Sequence, residues 1–177
     1  MALIQYASYD QLSSEYASGI IRLNALFPVD LLRAVLPEMR ATKSPSLVVG
    51  IGSITGRYPA PFMSLYAASK SFLLRWIHGL SIDEAFRDSS VDIMFHYMSL
   101  GEVISPRSLT KKPNLFCPTP EAIARAIVRV VGCGHREVIP YVWHVPGKIV
   151  LDILGDSLAA KAMGKYMNLD ERKAKSQ

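Results

Sequence analysis

The chain has 177 residues, half of them apolar and a fifth charged, which is enough for one domain with a core and is not a disordered composition. Its net charge is +5, but the basic residues are dispersed, the densest groups being Lys111-Lys112 and Arg172-Lys173-Ala174-Lys175. No basic stripe with interleaved aromatics and no finger or helix-turn-helix spacing is present, so the pattern excludes a nucleic-acid partner and reads as a solvated surface.

Residues 1–9 read as a loop or a ragged strand end. From Asp10 to about Met39 the spacing of Leu12, Tyr16, Ile20, Leu23, Phe27, Leu31 and Val35 predicts one long helix. Pro28 interrupts it: proline has no N–H, so the carbonyl of Asn24, four residues earlier, loses its intrahelical partner and a kink is expected. Leu47–Ile51 is a short β-branched run without alternation, the signature of a buried parallel strand. A second helix is predicted from Pro61 to about Arg87, and a second strand over Val91–Met98. The glycine of Ser99-Leu100-Gly101-Glu102-Val103-Ile104-Ser105 marks a turn after that strand.

Residues 110–120, with three prolines, form a loop suited to a substrate lid. Thr119, Pro120 and Glu121 supply an N-cap, a first-turn proline and a dipole-compatible acid for a helix that stops at Gly132 or Gly134. Arg136–Tyr141 reads as a final short strand. Lys148–Met167 is amphipathic, with Ile149, Val150, Ile153, Leu154 and Leu158 on one side, a stripe that serves core packing, an interface or a membrane surface.

Cys117 and Cys133 lack a Cys-x-x-Cys pattern and histidines at ligand spacing, which predicts reduced thiols and no metal site. His78, His96, His135 and His144 show no triad spacing and read as structural or surface residues. Met1–Gln5 is not a secretory signal. No window holds ~18 uninterrupted apolar residues; Val138–Leu154 comes nearest and is interrupted by His144, Pro146, Lys148 and Asp152.

The chemistry concentrates in Ser53–Lys70. On a helix Tyr66 and Lys70 stand at i and i+4 on one face. A free phenol titrates near pH ~10 and is a poor acid or base at neutrality, but an ammonium within ~4–6 Å favours the phenolate. Ser53, at the end of a strand and thirteen positions before Tyr66, can hydrogen-bond a carbonyl that the tyrosine also approaches. The pattern suits a tyrosine acid/base assisted by lysine, with serine orienting a substrate. A bare Tyr-x-x-x-Lys is equally an exposed amphipathic pair.

The fuller pattern is Gly52-Ser53-x-x-Gly56, Pro59-x-Pro61 and Ser64-x-Tyr66-x-Ala68-Ser69-Lys70, following Ser46–Gly52. It resembles the active-site segment of the short-chain dehydrogenase/reductase family, and the likeness runs from about Asp10 to Val145. The resemblance implies NADP(H) or NAD(H) as cofactor. It implies Tyr66 as proton donor or acceptor, Lys70 lowering its pKa and holding the ribose, and Ser53 orienting the carbonyl. Asn24, in Ile21–Phe27 and followed by Leu36-Pro37-Glu38-Met39, resembles the family's catalytic asparagine, whose backbone carbonyl holds a relay water. Gly101, Val103 and Ser105 fit the turn that touches the nicotinamide, with Leu100 standing where proline is usual. A homodimer through residues 10–40 and 62–87 is implied as well. Pro118–Glu121 and Ile139–His144 look like the very-long-chain 3-oxoacyl-CoA reductase and 17β-hydroxysteroid dehydrogenase subgroup, implying a hydrophobic keto or hydroxy substrate. Lys173-Ala174-Lys175-Ser176-Gln177 resembles an endoplasmic-reticulum retrieval signal, and reads equally as a solvated basic tail.

The family's Thr-Gly-x-x-x-Gly-x-Gly phosphate turn has no counterpart in this sequence. The expected architecture is therefore α/β, a partial Rossmann-like (doubly wound) fold. It consists of the C-terminal half with a short parallel sheet and long helices, lacking the N-terminal nucleotide-binding strands. Residues 1–177 then form one incomplete domain, with 147–177 as an amphipathic helix and basic tail. Strand 47–51 becomes an open edge that invites association, and the isolated chain is expected to be inactive and either poorly stable or oligomeric. The rival reading is a non-catalytic remnant that binds a partner or lipid through that edge or the 148–167 helix.

Overall fold

A computed structural model of the chain describes residues 4–87, 92–104 and 112–166. Three parallel strands form its centre: β1 (Ser46–Ile51), β2 (Ile93–Met98) and β3 (Glu137–Val138), in the spatial order β1-β2-β3. Ser46 pairs with Ile93 and Gly50 with Tyr97, while Tyr97 and Met98 pair with Glu137 and Val138. The middle strand β2 is buried almost throughout, as its apolar run demands. β1 lies at an edge, with no strand on its other side among the described residues.

The helices are α1 (Ser14–Ile21), α2 (Phe27–Ala41), α3 (Ser64–Phe86), α4 (Pro120–Val130) and α5 (Val145–Tyr166). The single helix expected from Asp10 is divided. α1 starts only at Ser14, where Ser13 caps it by accepting from the Tyr16 amide. A π-helical turn over Arg22–Leu26 then joins it to α2, the Phe27 amide reaching back to the Arg22 carbonyl. The disturbance falls just before Pro28, which cannot continue the regular ladder.

α3 lies on the sheet. Leu73, Leu74 and Ile77 bury against Ile93, Phe95 and Tyr97, joined by Leu32 of α2. Gly50 lets α3 approach, since a Cβ there would stand 3.1 Å from Ile77. α4 is capped by Thr119 as expected and ends before Gly132, whose φ is +79°.

The C-terminal elements depart from expectation in two ways. β3 spans two residues rather than Arg136–Tyr141. α5 begins at Val145 and bends at Gly155 (φ 68°), and its buried side carries Leu151, Ala159 and Met163 against Tyr58, Ala60 and Met63. Of the predicted stripe, Leu154 packs against that cluster, while Ile149, Val150, Ile153 and Leu158 are exposed. Among the described residues no helix is long and apolar enough to cross a membrane. Ser105, the start of the 110–120 loop and the tail after Tyr166 lie outside the described residues.

Candidate active site

The site is built where β1 ends. Gly52 donates to Met98 O (2.9 Å) and Ile54 to Leu100 O (2.9 Å), carrying the β1–β2 pairing past Ile51. Ser53 then caps the 3₁₀ turn Ile54–Gly56, its Oγ accepting from the Thr55 amide (3.2 Å) and the Thr55 hydroxyl (2.8 Å). Pro59-Ala60-Pro61 and Phe62, in the left-handed region at φ 60°, turn the chain into α3. Tyr66 falls in the first turn of α3 and Lys70 one turn later, as the i, i+4 spacing predicts.

The three side chains converge. Lys70 Nζ lies 5.7 Å from the centre of the Tyr66 ring. The nearby Ser53 hydroxyl pulls the Tyr66 phenol's pKa down, but burial acts more strongly and holds that pKa above the ordinary tyrosine range. Burial likewise pushes the Lys70 ammonium down. The sequence suggests that the lysine lowers the phenol's pKa; here burial is the larger influence on that group. Desolvation disfavours the charged form of both groups, which keeps the phenol as a proton donor. Lys70 Nζ donates to the carbonyl of Ile51 (2.9 Å), the last residue of β1.

Asn24 joins the site from behind. Its Nδ2 donates to Ser69 Oγ (3.0 Å), and the buried Ser69 hydroxyl donates to the Tyr66 carbonyl (2.7 Å). The Asn24 side chain is thus engaged with α3, while its backbone carbonyl faces a proline at 28 that has no N–H to offer.

On the β2 side, Gly101 donates its amide to Nδ1 of His144 (3.0 Å), and the neighbouring Ile104 donates to Pro118 O (2.9 Å). Val103 is half-buried on the same turn.

Two residues escape the sequence reading. Tyr97, fully buried, bonds both backbone groups of Ser53, and His144 seats the Gly101 turn. Tyr97 looks like one more apolar member of a strand; its register partner is Gly50, and only the reach of its hydroxyl past the end of β1 to Ser53 could have marked it. His144 carries no local signal, because its partner is distant in sequence.

Among the described residues no group of three or more His, Cys, Asp or Glu could hold a metal ion. The arrangement is a phenol, an amine and a hydroxyl at the C-terminal end of parallel strands, where open α/β sheets bind ligands. A family model described as short chain dehydrogenase matches residues 3–102. The chain belongs to that family. Relatives of this short-chain dehydrogenase include a very-long-chain 3-oxoacyl-CoA reductase of Pyricularia oryzae, 31% identical over 128 residues, covering 72% of this chain and 37% of that protein. The very-long-chain 3-oxoacyl-CoA reductase-B of Danio rerio is 25% identical over 160 residues, covering 89% of this chain and 49% of that protein. The chain thus spans less than half the length of these curated relatives.

Solved structures agree on the fold. A 7beta-hydroxysteroid dehydrogenase superposes with a TM-score of 0.73 at 16% identity, over 92% of this chain and 64% of that one. A short chain dehydrogenase from Burkholderia cenocepacia J2315 in complex with NADP gives 0.71 at 19% identity, over 90% and 66%. The three strands and their helices are a portion of the short-chain dehydrogenase Rossmann fold.

Proposed function

We propose that these residues form the catalytic half of an NAD(P)(H)-dependent oxidoreductase acting on a hydrophobic keto or hydroxy substrate such as a 3-oxoacyl-CoA or a steroid. The observation that carries this reading is the convergence of Ser53, Tyr66 and Lys70 at the end of β1. In the reductive direction Ser53 holds the substrate oxygen, Tyr66 passes its phenolic proton to that oxygen, and Lys70 restores the phenol's charge balance and meets the ribose. The nicotinamide supplies and receives the hydride when bound. Gly101 and Val103, with Ser105 assigned there by resemblance, would hold its carboxamide. Pro28 has no N–H to give the Asn24 carbonyl, which supports that carbonyl as the holder of a relay water.

The names of the relatives support the acyl-CoA class. A homodimer through residues 10–40 and 62–87 is supported by the exposed Leu23, Phe27, Leu31 and Val35, which repeat at four-residue steps, and by exposed Phe72 on α3.

The second reading is a partner- or lipid-binding module without activity. It is favoured by the exposed Ile149, Val150, Ile153 and Leu158 of α5 and by the open edge of β1. Energy transfer from Trp76 and Trp143 to NADPH separates the two. Saturable transfer supports the oxidoreductase; none at millimolar cofactor favours the binding module.

A further inference from the structure

Tyr97 is fully buried in the middle strand, yet its hydroxyl leaves the apolar core and ends at the active-site turn. The oxygen accepts from the Ser53 amide (2.9 Å) and donates to the Ser53 carbonyl (3.0 Å), with the Lys70 carbonyl as a longer second acceptor at 3.4 Å. One phenol therefore grips both backbone polar groups of Ser53 and touches the α3 turn that carries Lys70. We propose that Tyr97 is a positioning residue that fixes Ser53 against α3 and so sets the contact between Ser53 and the Tyr66 phenol. The inference rests on the reading of Ser53 and Tyr66 as the proton-transfer pair.

Three further features fit this role. A Cβ on Gly52 would stand 2.0 Å from the Tyr97 ring, and one on Gly56 would stand 2.7 Å from its hydroxyl and 2.9 Å from the Lys70 carbonyl. Both glycines of the Gly-Ser-x-x-Gly pattern are thus spaces that the tyrosine occupies. Ser71 Oγ donates to Gly56 O (2.6 Å), closing the turn against α3 from its other end. Burial pushes the Tyr97 phenol up to about 12, so it keeps its proton for the Ser53 carbonyl wherever the protein works.

The test reads the Tyr66 phenol directly, in the full 177-residue chain without cofactor. Tyrosine labelled at Cζ gives one NMR resonance per side chain, and Tyr66→Phe assigns the one in question. Besides Lys70, the titratable groups facing Tyr66 are Tyr6, Tyr16 and Tyr97; Tyr6 and Tyr16 are unchanged in every variant, and the charge coupling between the Tyr66 and Tyr97 phenols raises Tyr97 rather than Tyr66. Tyr97→Phe should raise the Tyr66 midpoint in the same direction and to the same extent as Ser53→Ala. The double variant should match Ser53→Ala alone, because both changes remove one contact. A Tyr97→Phe protein that loses thermal stability while its Tyr66 resonance and midpoint stay in place overturns the proposal.

Should Tyr97→Phe fail to fold, hydrogen exchange on the unsubstituted chain decides. The Ser53 amide, bonded to the Tyr97 oxygen, should exchange on the order of tenfold or more slower than an open amide. Exchange at the open rate overturns the tether. Neither measurement involves nicotinamide, so absent NADPH binding would count against the proposed function and leave this result readable by itself.

Discussion

The amide of Gly101 donates to Nδ1 of His144 across 3.0 Å and 43 positions of sequence, joining the turn after β2 to the start of α5. The bond requires a neutral Nδ1, and the buried ring meets that demand. Burial pushes His144 below the ordinary histidine range, against the opposing pull of the Phe116 and Glu102 carbonyls. A group that binds its proton more weakly folded than unfolded makes stability rise with pH. The folded chain should therefore lose stability as pH falls below the usual histidine value of ~6.5, with half-buried His78, also pushed down by burial, adding in the same sense. Urea unfolding across that range checks this. His144→Gln, which keeps an acceptor and cannot titrate, should flatten the dependence, whereas His144→Ala should also expose the Gly101 amide to exchange. An unchanged slope in His144→Gln would contradict the assignment.

Gly52 and Gly79 should respond to alanine with opposite signs. At Gly52 a methyl collides with the Tyr97 ring, while at Gly79, inside α3, nothing lies within 4 Å. Gly52→Ala should cost about 1–3 kcal/mol by overpacking. Gly79→Ala should gain about 0.5–1 kcal/mol by removing a mid-helix glycine. Chemical denaturation of the two variants beside the parent is the check.

High pH tests the buried phenols. Tyr66 and Tyr97 are both pushed up by burial, so folded chains hold protons that unfolded chains release above ~10. Stability should fall as pH rises from there toward 12, the value that Tyr97 approaches. Lys70 is pushed down by burial and acts in the other sense, but only below the ordinary lysine range. Tyr97→Phe should make the alkaline decline shallower, as read by circular dichroism. An equally steep decline would mean that Tyr97 does not hold its proton there.

Pro28→Ala tests the Asn24 carbonyl apart from its side chain. Alanine supplies the N–H that proline lacks, which should regularise the Arg22–Leu26 turn and raise stability. If that carbonyl holds the relay water, turnover should fall although the protein is more stable. Gains in both stability and turnover would remove Asn24 from the relay.

Local chemistry made much of the site legible in advance. Tyr66 and Lys70 were readable because one helix fixes their spacing, Thr119 because a cap is a short-range device, and the Leu47–Ile51 strand because its apolar run does not alternate. Pro28 marked the break between α1 and α2, though not its π-helical form or the bond from Asn24 to Ser69 that joins the turn to α3. The exposure of Ile149 and Ile153 could not be read, since periodicity shows that a helix has an apolar side without showing what covers it. Tyr97 and His144 were missed because each acts through a partner more than forty positions away. The rise of the Tyr66 pKa was missed because spacing reveals the nearby amine but not the burial that outweighs it.

The most direct test of the proposed chemistry is NADPH oxidation with a 3-oxoacyl thioester, measured in a chimera that joins the dinucleotide-binding segment of a curated relative to this chain. Tyr66→Phe removes one oxygen and should lower kcat by about 10²–10⁴ while leaving NADPH binding intact. Full turnover by Tyr66→Phe would contradict the assignment of Tyr66 as the proton donor.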